Sequence, residues 1–261
     1  AVVFVISELV CVVCVPERPV ACDEKPGKIS DMFKALFKND QAMTVVVSII
    51  LVYTSLNICG NLVLYFFRFD VGNEGAYSIF AAVAFAAQVL VMMVIPLLRK
   101  RFSKSQLFIS GFIIQIAGFA VILIMAFAKL YTPQSWYILC LPGILIYLGY
   151  GMLNVIMTIF LSDSVDYGEV MNGTREESVI FSMQTFTVKL ASGVAVFLAG
   201  LVVDWIHLDT AAAVQTQDTL DALRMWMTIP SVILLIVGIF VFKRFYKLDD
   251  TRMEEIKSKL N

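Results

Sequence analysis

One lysine, Lys189, lies deep inside an apolar stretch of this sequence, twelve residues after Glu177 and sixteen before Trp205. In a helix, twelve residues place it roughly 18 Å into the stretch, near the midplane of a bilayer. An ammonium group at that depth costs about 2.5 to 3.5 kcal/mol on insertion scales. Lys189 therefore indicates a water-lined pathway or a binding cavity, the alternative being a structural bond to a buried carbonyl group.

Polar side chains at helical spacing accompany this lysine and run along two further apolar stretches. Ser182, Thr185 and Ser192 share the predicted face of Lys189. The other stripes consist of Tyr53, Asn57 and Asn61, and of Tyr147, Tyr150, Asn154 and Thr158. Each stripe alone is equally consistent with hydrogen bonding between helices. Together, their amides, hydroxyls and rings suit a neutral polyhydroxylated ligand such as a sugar better than an ion alone.

Carboxylates gather at the end of the fourth apolar stretch, where Asp163, Asp166 and Glu169 are spaced i, i+3 and i+6. The helix is expected to break at Gly168, Asn172 and Gly173, and Arg175 precedes the next stretch. The ligand spacing of known metal-binding loops is missing, so we predict no metal site.

The expected partner of these carboxylates is a basic cluster at another boundary, Arg99 to Arg101. Such ion pairs can form in one conformational state and break in another. We therefore predict that the two clusters act as a gate.

The whole composition agrees with helices that cross a membrane. The sequence is 59% hydrophobic and 16% charged, with a mean hydropathy of +0.84, whereas a soluble domain has about 25% charged residues. We predict an all-α integral membrane protein that binds no nucleic acid, because its basic residues are divided among short loops. It has no nucleophile elbow, metalloprotease helix or phosphate loop, so we predict neither an enzyme nor a cofactor.

The predicted organisation is a six-helix membrane domain over residues 42–242. Residues 1–15 would span only about 22 Å, so we expect the end of a truncated helix and hence a fragment. Residues 16–41 are expected to form a central loop with an amphipathic helix, and 243–261 a tail with weaker amphipathic character; both amphipathic segments are expected to lie on the bilayer. The six predicted spans are 42–66, 76–98, 105–128, 136–162, 178–203 and 225–242.

The loops have a strong charge bias. Of the 20 Lys and Arg residues, about 16 fall on one side of the predicted membrane and three on the other, with Lys189 inside a span. Cytoplasmic loops carry such an excess of positive charge. We therefore predict a multi-pass protein of the cell membrane with a cytoplasmic C-terminus.

The run DSVDYGEVMNGTREESVIFSMQTFTVKLASG resembles the glycoside–pentoside–hexuronide:cation symporters, the group typified by the melibiose permease. Its members belong to the major facilitator superfamily and have twelve helices in two six-helix halves. The family signature is matched by Asp163, Asp166, Tyr167, Gly168 and Glu169, then by Arg175 and Glu177, and finally by Gln184, Thr185, Val188 and Lys189.

The resemblance implies that this chain is the C-terminal half of a sugar or glycoside symporter with alternating access. It implies that Lys189, Gln184 and Thr185 line the sugar cavity near the cation pathway. It further implies that Asp163, Arg175 and the Arg99–Arg101 cluster form the inner gate. The coupling cation, Na⁺ or H⁺, is then expected to bind mainly in a missing N-terminal six-helix half.

The sequence leaves the identity of the sugar and the alternative functions open. Sugar-binding members have a tryptophan in the helix before the signature, where this sequence has Asn154, so the resemblance does not identify the sugar. A related lipid or drug carrier and a non-transporting scaffold are the alternative functions. A long amphiphile would require a more apolar cavity than the polar stripes provide, and a scaffold would tolerate replacement of Lys189.

Overall fold

The structure is a computed structural model that describes residues 37–173, 177–212 and 214–260, together with residues 5, 6, 9, 10 and 14. Those five residues are helical and belong to one compact unit, Ala1–Lys34, and the remainder belongs to a second, Ala35–Asn261. Most of the amphipathic helix predicted within 16–41 lies outside the described residues, as does Arg175.

The second unit is all-helical over its described residues. Six of its helices are long and apolar enough to cross a membrane, in agreement with the predicted six spans. The helices are α1 (Asp40–Tyr65), α2 (Ala76–Leu98), α3 (Lys104–Phe127), α4 (Cys140–Asn172), α5 (Glu177–Trp205), α6 (Gln217–Phe245) and the short α7 (Asp250–Leu260); a π-helix (Phe66–Val71) follows α1 and a 3-10 helix (Trp136–Leu139) precedes α4.

Helices α1 and α4 form the centre of the bundle. Helix α1 packs against α4, α5 and α6, and α4 packs against α2 and α3. Helices α5 and α6 barely touch each other, because each packs on α1 instead. Consecutive membrane helices run in opposite directions. We name the two ends of the bundle after residues that lie there, the Asp163 end and the Asp70 end.

Glycines let α3 and α4 approach closely. A Cβ atom on Gly149 would lie 2.5 Å from the carbonyl oxygen of Gly111, and one on Gly118 would lie 2.7 Å from the Ile146 side chain. Small residues of this kind permit the close backbone contacts that stabilise helix pairs in membranes. Nearer the Asp163 end, aromatic rings with centroids 4.4–5.2 Å apart fill the core between α3, α4 and α6: Phe108, Phe112, Phe160, Phe242 and Tyr246.

The prediction that α4 breaks at Gly168 is wrong, because the helix continues to Asn172. Gly168 instead allows a close contact with α1, since a Cβ atom there would lie 2.8 Å from Asn39 Nδ2. Asn39 caps α1 by accepting from Ala42 N, and it also donates to the carbonyl oxygen of Ser164. Helix α4 ends at Gly173, whose φ of +73° is in the left-handed region that favours glycine.

The weakly amphipathic tail forms α7, but its apolar face does not lie on the bilayer as predicted. Met253 and Ile256, with Leu248 just before the helix, are buried in a small cluster against Tyr167 and Val170 of α4. Helix α7 therefore packs on the last turns of α4, which explains how those turns stay helical beyond the apolar span.

Candidate functional site

A group of polar side chains joins α1 and α4 near the middle of the bundle. Asn154 Nδ2 donates a hydrogen bond of 2.6 Å to the Tyr53 hydroxyl. The Tyr53 and Tyr150 rings meet edge to face, with centroids 5.5 Å apart. Tyr53 lies thirteen residues into α1, roughly 20 Å along its axis and near mid-span. We call Tyr53, Tyr150 and Asn154 the mid-span cluster.

Helix α5 contributes a polar contact to this region. Gln184 Nε2 lies 3.5 Å from the Thr158 hydroxyl, which itself bonds to the carbonyl oxygen of Asn154 at 3.1 Å. Thr158 is one helical turn beyond Asn154, so its hydroxyl continues the stripe. Polar groups of α1, α4 and α5 thus meet in one region.

Asn57 and Asn61 lie farther along α1, and each is satisfied within its own helix. Their amide groups donate to the carbonyl oxygens of Tyr53 and Asn57, at 2.7 Å in both cases. Asn61 also lines a cavity of about 540 Å³ between α1 and α5, together with Tyr65 and Asp204. The structure therefore separates Asn61 from the mid-span cluster and places it towards the Asp70 end.

Lys189 does not converge on the mid-span cluster. The packed face of α5 consists of Ile180, Thr187, Ala191, Ala195, Ala199 and Val202. Lys189 and Thr185 are exposed, and within the described part of the chain the Lys189 ammonium has no hydrogen-bond or ion-pair partner. The Thr185 hydroxyl bonds to the carbonyl oxygen of Phe181 in its own helix. The polar face around Lys189 is thus an outer surface of this bundle.

The predicted gate residues that the structure describes do not form the expected ion pairs between the carboxylates of α4 and the Arg99–Arg101 cluster. Asp163 is 5% exposed and forms its ion pair with Lys104 at the start of α3, not with Arg99 or Arg101. Arg99 instead lies 3.3 Å from Asp250 of α7, and Asp250 lies 3.5 Å from Lys104. Asp163 pairs with Lys104 because the lysine side chain enters the buried interface between α3 and α4, whereas Arg101 stays exposed in the preceding turn.

Burial disfavours the charged form of Asp250, but the hydrogen bond and positive charge of Arg99, together with Lys104, outweigh that effect. The pKa of the Asp250 carboxyl is therefore lowered below its ordinary value. Arg99, Asp250, Lys104 and Asp163 form a chain of alternating charges that joins the turn after α2 to α3, α4 and α7. The remaining acids of the signature, Asp166 and Glu169, are half-buried in the last turns of α4.

Sequence reasoning missed a second buried ion pair, at the Asp70 end. Arg224 of α6 is 3% exposed and binds Asp70 of the π-helix with two hydrogen bonds, of 2.5 and 2.8 Å. The Tyr131 hydroxyl donates to Asp70 at 2.6 Å, and Asp221 accepts from Arg224 at 2.6 Å. Burial and the nearby Asp70 carboxylate raise the pKa of Tyr131.

This second pair has a weak signal in the sequence. Asp70 and Arg224 both lie at the edges of apolar stretches on the same side of the predicted membrane. The count of Lys and Arg residues in the loops includes Arg224, but such a count does not show that a basic residue has an acidic partner. Within the described residues, no group of three or more His, Cys, Asp or Glu side chains could hold a metal ion.

Six helices long and apolar enough to cross a membrane define the chain as a multi-pass membrane protein, with a polar cluster at mid-span and buried ion pairs at both ends. The family described as MFS/sugar transport protein matches residues 2–250, so the chain belongs to that family. This agrees with the resemblance seen in the signature run. Membership in a transporter family also agrees with the prediction that the chain is not an enzyme.

Relatives in this family are named as sugar carriers and symporters. The chain is 23% identical over 234 residues to the raffinose carrier protein of Pediococcus pentosaceus, which covers 89% of this chain and 35% of that protein. It is 25% identical over 228 residues to the isoprimeverose transporter of Lactiplantibacillus pentosus, with 87% and 46% covered. An uncharacterized symporter of Bacillus subtilis is 25% identical over 233 residues, with 89% and 49% covered. The chain thus spans half or less of the length of these relatives.

Proposed function

We propose that this chain is the C-terminal half of a cation-coupled sugar or glycoside symporter that works by alternating access. The observation that carries the proposal is the mid-span cluster, where Asn154, Tyr53 and Tyr150 gather neutral hydrogen-bonding groups and aromatic rings in the middle of a membrane bundle. Such groups bind hydroxyls and the apolar faces of sugar rings. The names of the relatives support a sugar as the substrate.

The exposed position of Lys189 supports a cavity shared with a second half. A lysine facing hydrocarbon at this depth costs about 2.5 to 3.5 kcal/mol, so the Lys189 face of α5 must contact water or protein. The relatives' greater length supports a further six-helix half on that side. We propose that Lys189, Thr185 and Gln184 line the sugar pathway between the halves and that Na⁺ or H⁺ binds mainly in the other half.

The ion pair between Lys104 and Asp163 changes the role that we propose for the gate. Because these charges neutralise each other inside this half, we propose that they fix the relative positions of α3 and α4. Contact with the other half would then fall to Arg101, which is exposed, and to Arg175, which lies outside the described residues. The excess of basic residues at the Asp163 end supports a cytoplasmic location for it and for the C-terminus.

The proposal is tested by uptake of a panel of radiolabelled mono- and oligosaccharides. The complete coding sequence that contains this chain would be expressed in cells lacking their own sugar carriers, with and without an imposed Na⁺ or proton gradient. We expect gradient-driven uptake of at least one sugar. Uptake of none, together with gradient-driven uptake of lipids or drugs, would replace the sugar proposal with the amphiphile carrier.

A further inference from the structure

An apolar groove of about 570 Å³ lies between α5 and α6 on the surface of the bundle. Helix α1 forms its floor through Ile58, α5 contributes Leu198, and α6 forms the opposite wall with Trp226, Ile229 and Ile233. Its volume is within the range of about 300 to 1,000 Å³ found for small-molecule sites. Its side chains offer almost no polar groups, so its occupant must itself be apolar.

The groove is built into the packing of the helices. Helices α5 and α6 both pack on α1 and barely touch each other. Two reciprocal hydrogen bonds fix α6 to α1 behind the groove: Ser55 Oγ donates to the Ser231 carbonyl at 3.1 Å, and Ser231 Oγ donates to the Ser55 carbonyl at 2.8 Å. Both serines are fully buried. Helix α6 cannot move towards α5 and close the groove without breaking these buried bonds.

The groove opens onto an exposed apolar surface of the bundle. Exposed apolar side chains follow one face of α6 along most of its length, at helical spacing: Met225, Ile229, Ile233, Ile236, Val237 and Phe240. Ile229 and Ile233 belong both to this stripe and to the groove wall. The groove is therefore continuous with the face of the bundle that contacts lipid tails.

The depth of the groove matches one leaflet of the bilayer. At the Asp70 end, the Trp226 ring lies against Trp205, with centroids 5.4 Å apart, and tryptophans concentrate at the membrane–water interface. From Trp226 to Leu234 the groove follows α6 for eight residues, roughly 12 Å. Half of a hydrocarbon core is about 15 Å thick, so the groove extends from the interface towards the midplane.

We propose that this groove is a lipid site that holds one acyl chain of a phospholipid from the leaflet at the Asp70 end. The chain enters beside Trp226 and contacts Ile58 on the groove floor. Ordinary lipids around the protein contact exposed side chains such as those of the α6 stripe and do not reach Ile58. The site is separate from the mid-span cluster, and the proposal does not depend on which substrate the protein transports.

The test is photocrosslinking of the protein in lipid vesicles. The vesicles contain phosphatidylethanolamine and phosphatidylglycerol. A small fraction of phosphatidylcholine with a diazirine in one acyl chain is the probe. Adducts would be located by mass spectrometry. Ile58 is only 4% exposed, so an adduct there requires a chain inside the groove. We expect adducts on Ile58 as well as on the exposed Phe240.

Filling the groove provides the matched comparison. Ile229→Trp and, from the opposite wall, Leu198→Trp should each reduce labelling of Ile58 at least five-fold and leave Phe240 labelling unchanged. Ile236→Trp adds the same side chain to the same stripe outside the groove and should change neither. Phe240 labelling also shows that each variant is inserted in the vesicle membrane. Adducts on Phe240 without any on Ile58, or labelling of Ile58 that both filling variants leave unchanged, would overturn the proposal.

Discussion

Asn154 of α4 donates a 2.6 Å hydrogen bond to the Tyr53 hydroxyl of α1, and this bond joins the two central helices near mid-span. It uses one of the two amide hydrogens of Asn154 and leaves capacity at its carbonyl oxygen. Polar side chains in the membrane are commonly satisfied by such bonds between helices. Here the bond also holds Tyr53 and Tyr150 edge to face, so the rings and the amide are oriented before any ligand arrives.

Replacing Asn154 by Leu should impair transport. The substitution keeps a similar volume but removes the donor to Tyr53 and the proposed contact with the sugar. Leaving a polar group without its hydrogen-bond partner costs about 1 to 3 kcal/mol, equal to a roughly 5- to 150-fold change in affinity. Initial uptake rates at several sugar concentrations, normalised to the amount of protein in the membrane, would measure it. Gln134→Leu removes an exposed amide outside the cluster and should transport normally; equal rates for both variants would argue against the site.

Replacing Lys189 by Met separates a transport role from a structural one. The ammonium has no partner among the described residues, so its removal should leave the thermal unfolding temperature unchanged or raised. Uptake should nevertheless fall by about tenfold or more, equal to at least ~1.4 kcal/mol, while Lys189→Arg keeps the charge and should retain more activity. Unfolding and uptake would be measured on the same preparations. Full uptake by Lys189→Met would contradict a role for Lys189 in transport.

Breaking the ion pair at the Asp70 end should destabilise the fold. Arg224→Met leaves the Asp70 carboxylate buried without its main partner, and removing one member of a buried pair costs about 3 to 5 kcal/mol. The double variant Asp70→Leu with Arg224→Met should recover much of that loss. The free energy of unfolding in mixed micelles would be compared between variants.

The control for that pair is Arg68→Ala. Arg68 lies 3.7 Å from Glu74, but both side chains are well exposed, and such surface pairs contribute about 0 to 1 kcal/mol. Equal losses for Arg224→Met and Arg68→Ala would mean that the buried network does not stabilise the Asp70 end.

Docking of α7 should weaken when Asp250 loses its charge. The folded-state pKa of Asp250 is lowered, so its contribution is complete above the ordinary aspartate pKa and is lost as the pH falls through the folded value. A cysteine at Met253, which is 2% exposed, reports undocking through its reaction with a pyridyl disulfide. At pH 7 the reaction should be faster in Met253→Cys combined with Asp250→Asn than in Met253→Cys alone. In Met253→Cys alone, the reaction should become faster at acidic pH. Glu254→Gln, an exposed change on the same helix, should have no effect; acceleration in Glu254→Gln alone would contradict the pairing.

Hydropathy and periodicity predicted the parts of the fold that depend on burying apolar surface in a membrane. The six spans and the facing stripes of α1 and α4 follow from these patterns, because a helix that carries Tyr53 and Asn57 on one face must direct that face towards other polar groups. The extra ten residues of α4 could not be predicted in this way. They are stabilised by Asn39 and by α7, which are distant in the sequence.

The partners of individual charges were not predictable for a related reason. Asp163 and Lys104 are 59 residues apart, and three basic residues at 99–101 form a denser cluster than Lys104 alone. Only the register between α3 and α4, set by close glycine contacts, decides which cation enters the interface. Asp70 and Arg224 are 154 residues apart and meet because α1 and α6 pack side by side.

The most direct test of the sugar site is protection of a cysteine at Thr158 by substrate. Thr158 is exposed and lies one turn from Asn154, so a sugar in the mid-span cluster would cover it. A transported sugar should slow alkylation of Thr158→Cys in a concentration-dependent manner and leave Ser258→Cys, on the exposed face of α7, unaffected. Alkylation of Thr158→Cys at the same rate with and without a saturating transported sugar would contradict a sugar site formed by Tyr53, Tyr150 and Asn154.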